Sequence, residues 1–442
     1  MFKTNLFKAS VVIGGFSFLA DIVALFRDRI LASQFGASRT LDIYYSAFKI
    51  PDLVFNLLIL GAVSSAFIPI FIREFKEDEK KAWRLSQNFV TMAFVSVLSG
   101  VLVMMVFARP LVELIAPGFS GPDKDVLVQL MRLMLISPLV FSLSTILGSM
   151  LQALERFWAY AIAPVFYNAG IIVGAIYFVP WFRIRGYHEV LGLGAGVVFG
   201  ALLHLLIQLI ASMRAGFRFK WIFNVADTQF RNIVRLMIPR TVGLGAYSFD
   251  SVVINSIAST LGAGSIAVLN FANNLQFVPI AVVGVSMATA IFPKLSRHAS
   301  SDEKDDLKKN LYLAIKSTAL IVVPVAILMA IFSRRIISVL FGAGLFGGVG
   351  IEATASVLAI FMVGVTAQSL IPIISRGFYA LQNTKIPVLI SVFSVVINIS
   401  LAFYFSKGLS WDIQGLAWAI SVSGIIQFGL LWLAFTRFIK NV

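Results

Sequence analysis

The stretch Phe16-Ser17-Phe18-Leu19-Ala20-Asp21-Ile22-Val23-Ala24-Leu25-Phe26-Arg27-Asp28-Arg29 decides how this chain is read, together with Ala47-Phe48-Lys49-Ile50-Pro51-Asp52 beyond a Phe35-Gly36-Ala37 break. An apolar run from Ser10 to Phe26, interrupted only by Asp21, leads into the Arg27-Asp28-Arg29 triplet. A second apolar run follows, reaching to about Phe71. Two neighbouring hydrophobic segments therefore hold Asp21, Arg27, Asp28, Lys49 and Asp52 at or near membrane depth. Each charge at the centre of a bilayer costs roughly 2.5–3.5 kcal/mol on insertion scales, so each must face a partner, water or a ligand.

Composition sets the class. Hydrophobic residues make up 59% of the 442-residue chain and charged residues 13%, half the charge of an ordinary soluble domain. So much apolar surface fits a bilayer, and the long unbroken runs fit helices rather than the ~10-residue alternating segments of a membrane β-barrel. The expected fold class is an all-α polytopic membrane protein. The chain has no cysteine, which excludes disulfides, thiolate metal sites and thiol nucleophiles. In a membrane chain a net charge of +15 points to basic cytoplasmic loops facing anionic lipid rather than to nucleic acid. The first apolar run lacks a small-residue cleavage site and runs into a second segment, so no cleavable signal peptide is expected.

Twelve spans of about 20 apolar residues or more can be read, over 9–34, 42–72, 87–116, 126–152, 159–180, 190–213, 230–261, 265–294, 310–333, 351–380, 386–406 and 414–436. Prolines such as Pro51, Pro69, Pro164, Pro239, Pro279, Pro293, Pro324 and Pro372 fall within them, either kinking helices around a cavity or marking ordinary packing bends. Basic residues collect in alternate loops: Lys3 and Lys8, then Arg73 to Arg84, Arg214 to Lys220, Lys294 to Lys309, Arg376 with Lys385, and Arg437 with Lys440. This places both termini in the cytoplasm, with Arg183, Arg185 and Lys407 as exceptions on the far side.

An internal repeat runs through the chain. Ala32-Ser33-Gln34-Phe35-Gly36-Ala37 recurs as Ala258-Ser259-Thr260-Leu261-Gly262-Ala263, and Gly61 to Ala66 is echoed by Gly284 to Ala288. Phe107-Ala108-Arg109 recurs as Phe332-Ser333-Arg334, and Gln152-Ala153-Leu154 as Tyr379-Ala380-Leu381. All four pairs lie about 223 to 227 residues apart. A period of six spans preserves orientation, so the halves are expected to be parallel repeats. They comprise an N-terminal lobe over 1–213, a basic linker over 214–229 and a C-terminal lobe over 230–442, with a substrate path between them.

Catalytic chemistry finds no support. The only histidines, His188, His204 and His298, are scattered, and neither a nucleophile elbow nor a phosphate-binding glycine loop is present. Gly192, Gly194, Gly196 and Gly200 read as close helix packing, and His204 as a hydrogen-bonded membrane histidine. No metal site is expected. The intramembrane charges carry the functional reading. Arg27 and Asp28 point about 100° apart on a helix, so the expectation is that they do not neutralise each other face to face. Arginine's planar fork suits a phosphate, and lysine serves as a point charge, so Arg27, Asp28 and Lys49 suit an anionic headgroup in a water-filled cavity. An internal salt-bridge network is the competing reading. Asp250, among Ser248, Ser251 and Asn255, reads as a cation site, a counter-ion or a hydrogen-bonded aspartate. Asn270, Asn273 and Asn274 form a polar band in the next span, and Arg334 and Arg335 read as snorkelling at the outer interface.

With these residues in place, the chain resembles the MurJ/MviN family of lipid II flippases. The resemblance is carried by Phe26-Arg27-Asp28, Phe35-Gly36-Ala37, Ala47-Phe48-Lys49-Ile50-Pro51 and Gly61-Ala62 through Ala66-Phe67-Ile68-Pro69. It continues through Ala116-Pro117-Gly118-Phe119, Phe271 to Gln276, Ile291-Phe292-Pro293-Lys294, and Phe378 to Leu381 leading into Thr384-Lys385-Ile386-Pro387-Val388. It implies the MOP exporter fold, shared with MATE transporters. It also implies movement of undecaprenyl-linked peptidoglycan precursor across the bacterial inner membrane by alternating access, driven by the membrane potential or a coupled monovalent cation. No cofactor is implied. Implied partners are lipid II, membrane lipids and cell-wall synthesis proteins, and the expected state is a monomer.

The chain departs from the family pattern at several places. Asp21 stands where an arginine is common six residues before the Arg-Asp pair, Phe55, Asn56 and Asn274 stand at further arginine positions, and Leu60 replaces an acidic residue. The twelve spans are two fewer than many relatives carry. A less cationic cavity follows, and the candidate substrate-binding residues are Arg27, Asp28, Lys49, Asp21 and Asn274, with Asp250 as cation or counter-ion site. A non-transporting scaffold for cell-wall assembly, or a MOP-type antiporter of another substrate, would share the fold.

Overall fold

The computed structural model describes residues 6–60, 67–301 and 303–441 along the backbone, with side chains described over 12–58, 67–235, 241, 245–301 and 303–439. The Gly61–Ala66 repeat motif, Lys3, Lys8, Pro239, Leu60 and Lys440 from the sequence reading lie outside the described residues or side chains. The described chain is helical, in the order α1 (Leu6–Phe35), α2 (Arg39–Ala47), α3 (Lys49–Phe55), α4 (Ile68–Glu77), α5 (Glu79–Val106), α6 (Ala108–Ile115), α7 (Gly121–Met134), α8 (Ile136–Ala153), α9 (Phe157–Val173) and α10 (Val179–Ile184). It continues through α11 (Val190–Arg214), α12 (Thr228–Ser259), α13 (Ser265–Pro279), α14 (Ser286–Ser300), α15 (Lys304–Ile331), α16 (Ser333–Phe341), α17 (Gly348–Ala380), α18 (Lys385–Phe403) and α19 (Asp412–Asn441).

Among the described residues, nine helical stretches are long and apolar enough to cross a bilayer. They coincide with the third to sixth and eighth to twelfth spans read from the sequence. The three remaining spans are those that carry Arg27, Lys49 and Asp250. The second of them is broken into α2, α3, a π-helical turn over Asn56–Leu60, and α4. Elsewhere, π-helical turns over Gly174–Phe178 and Ile280–Val285 widen otherwise continuous helices, and one over Tyr404–Gly408 ends α18. The Ile280–Val285 turn follows directly on Pro279, whose missing N–H leaves the helical ladder one donor short.

The chain divides into two compact units. One comprises 1–31 and 40–252, the other 32–39 and 253–442. The first unit is organised by a glycine seam between α9 and α11. A Cβ on Gly170 would fall 2.2 Å from the Cα of Gly200, and one on Gly174 2.5 Å from the Cα of Gly196. Gly192 would likewise meet the Val179 backbone at 2.6 Å. Gly192, Gly196 and Gly200 recur every four residues, so they share one face of α11 and let the two backbones touch. Gly194, on another face, lies against Leu130 and Leu133 of α7. No side chain separates the two helices, so α9 is held in fixed register. Asn168 and Tyr167 lie in this part of α9.

In the second unit α17 is central and packs against α13, α14, α15, α16 and α19. Its buried face presents Leu370, Ile373, Ile374 and Phe378 to Leu295, Leu311, Leu431 and Phe435. Gly364 brings α17 onto α19, where an added Cβ would lie 2.6 Å from the Ser421 Cα. The 32–39 segment joins this unit through glycine turns: Leu345 N–H donates to the Ser33 carbonyl at 2.8 Å. Gly36 (φ +63°) and Gly344 (φ +56°) adopt the left-handed conformation there, with no room for a side chain against Leu345 and Ser33 respectively.

The internal repeat is visible in the backbone of each unit. The α5–α6 joint falls at Phe107 (φ −88°, ψ 17°) and the α15–α16 joint at Phe332 (φ −95°, ψ 12°). After Gln152-Ala153-Leu154, Glu155 is left-handed at φ 57°; after Tyr379-Ala380-Leu381, Gln382 is left-handed at φ 56°. Both turns close with the same pair of backbone bonds, Arg156 N–H to Leu151 O at 2.8 Å and Asn383 N–H to Phe378 O at 2.9 Å among them.

Substituting Gly196→Leu places a branched side chain where the α9 backbone lies. Overpacking of this kind costs typically 1–3 kcal/mol, and here the obstacle is main chain that cannot rotate away. A lowered thermal midpoint for the detergent-purified protein is expected, while Gly347→Leu, at an open position, should leave it near wild type.

Candidate functional site

The site grows from the exit half of α1. Asp28 and Leu31 face the interior of the first unit, whereas Phe18 and Phe26 are exposed on the opposite side and suit lipid. Arg27 lies at the edge between these faces, its side chain 19% exposed against 2% for Asp28. The expectation that these neighbours would not neutralise each other is corrected here. Arg27 Nε and Nη2 both donate to Asp28 Oδ1, at 2.9 and 2.7 Å. The expectation followed the Cβ directions; the arginine stem is long enough to turn the guanidinium back across the helix surface onto the carboxylate. Both donors meet a single oxygen, so this is not the two-oxygen fork that arginine makes with a free carboxylate or phosphate.

A third contact fixes the guanidinium. Arg27 Nη1 donates to Asn168 Oδ1 at 2.7 Å. Asn168 is buried, and its own amide N–H donates to the Pro164 carbonyl at 3.1 Å, which orients the oxygen toward Arg27. Asn168 was not singled out by the sequence reading. The signal was a lone amide in an apolar span, four residues after a proline. The remaining Arg27 N–H groups have no partner among the described residues.

Lys49 opens α3, just after the chain breaks at Phe48. Its Nζ donates to Ser251 Oγ at 3.1 Å, and Asn56 Nδ2 donates to Ser248 Oγ at 3.1 Å. These two bonds tie α3 and the following π-helical turn to the part of α12 that belongs to the same unit. Ser248 and Ser251, read from sequence as neighbours of Asp250, are thus engaged by residues of the second span. Asp250 itself is half-buried beside them, Asp21 is exposed on α1 with no hydrogen bond or ion pair among the described residues, and Asn274 is half-buried on α13 in the other unit. The structure therefore gathers Arg27 and Asp28 around Asn168 and holds Lys49 on α12.

His204 and Arg334 have partners close by. His204 Nδ1 lies 2.6 Å from Ser144 Oγ, which donates to Gln208 Oε1 at 2.9 Å. Arg334, 76% exposed, pairs with Glu352 at 2.8 Å, consistent with a snorkelling position. Among the described residues, His298, Glu303 and Asp306 form the one trio close enough to share an ion. Its histidine is already engaged through Nδ1 by Glu303 and through Nε2 by Asn310.

Comparison with known proteins gives a consistent result. Residues 31–440 match the family model described as lipid II flippase MurJ. The lipid II flippase MurJ of Burkholderia cenocepacia is 29% identical over 443 aligned residues, covering 98% of this chain and 84% of that protein. A solved lipid II flippase MurJ in an inward closed conformation superposes with a TM-score of 0.82 at 23% identity, covering 97% of this chain and 88% of that one. An inward-facing multidrug resistance MATE transporter of the MOP superfamily superposes at 0.79 and 16% identity, covering 98% of each chain. The expected MOP exporter fold is thereby established.

Removing the Asn168 amide should cost about 1.5–3 kcal/mol, the value of a hydrogen bond to a charged group. Asn168→Ala is therefore expected to lower the thermal midpoint in detergent. Asn168→Gln should recover part of the loss, because its longer amide can still present an oxygen to Arg27.

Proposed function

The chain belongs to the lipid II flippase MurJ family, and from that premise we propose that it moves lipid II from the inner to the outer leaflet, with Arg27 as the headgroup contact. It is a transporter and not a catalyst, a multi-pass membrane protein set in the bacterial inner membrane. The observation that carries the role of Arg27 is its geometry. Asp28 and Asn168 hold the guanidinium from two sides, and N–H groups are left over on a side chain that stays partly exposed. A pre-positioned cation binds a phosphate without first losing rotamer freedom, a cost of about 0.5–1.5 kcal/mol for a side chain that must be immobilised. Asp28 acts as the positioning residue, and Lys49 adds a second positive charge on α3. Alternating access, driven by the membrane potential or a coupled monovalent cation, completes the proposal; the likeness to an inward closed relative supports it. Both termini are assigned to the cytoplasm on the distribution of basic loops.

Deleting one member of a buried ion pair is strongly destabilising, because it leaves the other charge uncompensated, whereas removing both is often tolerated. The informative variant is therefore Arg27→Gln with Asp28→Asn. It is expected to keep a thermal midpoint close to wild type and to lose lipid II flipping in reconstituted vesicles. Arg27→Lys should retain partial transport, since it keeps the charge and loses the planar fork. Wild-type flipping by the stable double variant would remove Arg27 from the binding path. Absence of flipping by the wild-type protein would remove lipid II as the cargo.

Topology has its own check. Cysteines replacing exposed Lys80 and Lys308, introduced singly into this cysteine-free chain, should resist an impermeant maleimide in intact cells, while one replacing exposed Tyr187 should react. Rapid labelling at Lys80 and Lys308 would invert the assignment.

A further inference from the structure

Beside the Arg27 cluster, the first unit contains a separate cavity of about 440 Å³ between α1, α3, α8, α9 and α11. Neither Arg27, Asp28 nor Lys49 lines it. Its one acidic lining residue is Asp52, which is exposed to it. The Asp52 carboxylate has no hydrogen bond or ion pair among the described residues. Lys49, one turn earlier on α3, donates to Ser251 and lies near enough to attract the Asp52 carboxylate without bonding it. Around the carboxylate stand aromatic rings in mutual contact: Phe55 and Phe141 at 5.8 Å between centroids, Phe141 and Tyr167 at 5.2 Å, and Phe141 and His204 at 5.3 Å, with Tyr160 also on the wall.

The hydrogen bonds beneath this wall fix its polarity. Ser144 spends its only proton on Gln208 Oε1, so the bond between Ser144 Oγ and His204 Nδ1 requires the proton on Nδ1. His204 Nε2 is then a bare acceptor. Asp52 and His204 together offer acceptors and negative charge, and the aromatic faces attract a cation through their quadrupoles. The volume is far larger than a bare metal ion needs and falls in the range of small-molecule pockets, roughly 300–1,000 Å³. We propose that this cavity is a binding site for a hydrophobic protonated amine, with the ammonium on Asp52 and the apolar body against Phe55, Phe141, Tyr160 and Tyr167. The site is independent of the lipid headgroup assignment, since it uses none of the same side chains.

The test uses the purified full-length protein in detergent and protonated dibenzylamine as probe, followed by equilibrium dialysis at near-neutral pH. Two controls share its shape: neutral N-acetyl-dibenzylamine and the anion of dibenzylacetic acid. Wild type is expected to bind the amine saturably and at least tenfold more tightly than either control. That comparison needs no variant and so does not depend on a mutant folding. Asp52→Asn should weaken amine binding about ten- to a hundredfold, the loss of one charge-assisted contact. Asp52→Glu should restore much of it, and Phe141→Leu should weaken it several-fold without changing charge selectivity. The Arg27→Gln/Asp28→Asn double variant should bind the amine as wild type does, which separates this site from the flippase reading. Equal binding of the amine and its neutral amide would overturn the proposal, as would undiminished binding by a folded Asp52→Asn protein.

Discussion

A guanidinium that cannot lose its proton, placed within an apolar helix, is the constraint on which the first half of this protein depends. Arginine at membrane depth is tolerated only with its charge balanced and its donors engaged. Asp28 supplies the charge and Asn168 the second acceptor. Asn168 can do so only because α9 lies in fixed register, and that register comes from backbone-to-backbone contact with α11 at Gly170, Gly174, Gly196 and Gly200. One charged group on α1 is thus served by four glycines on two other helices. The chain of dependence runs from small residues, through close packing, to a single oriented amide.

The same economy appears at Lys49. Its ammonium is carried on a short helix that starts where the second span breaks, and it is received by a serine on α12. A regular helix through this region would have fixed Lys49 by the pitch of the preceding turn. The break at Phe48, with Pro51 close behind, lets α3 take its own direction. Broken helices at membrane depth are acceptable where polar neighbours receive the freed groups. Here the second span combines a break with the charges of Lys49 and Asp52, whereas Arg27 and Asp28 sit on the unbroken α1.

How much of this was legible in the sequence differs by level. The spans were readable because a bilayer demands about 20 apolar residues and leaves a plain record of them. The repeat was readable from four short matches, and the joints at Phe107 and Phe332 share one backbone conformation. The pairing of Arg27 with Asp28 was not, because helix geometry fixes Cβ directions and leaves a long side chain free to turn. Asn168 was passed over because a single amide in an apolar span ordinarily bonds its own helix, and this one does so as well, with its other end. The Asp52 cavity was beyond reach for another reason: its walls come from α1, α3, α8, α9 and α11, and no local pattern announces that five separate stretches will leave a space between them. Family likeness added the fold and the class of cargo, which no spacing of residues could have supplied.

The left-handed residues Glu155 and Gln382 carry a consequence of a different kind. A non-glycine residue in that conformation costs on the order of 1–2 kcal/mol, and helix ends commonly accept it to satisfy their last carbonyls. The two turns share it, with the same closing bonds, 227 positions apart and with different side chains. The corner thus falls at matching places of the repeat read from the sequence and is built there from different side chains. The first half holds Arg27 and Asp28, while the positions 226 residues further on hold Val253 and Ile254. The repeat therefore sets where each half turns its corner and leaves the two halves free to differ in the charges they carry.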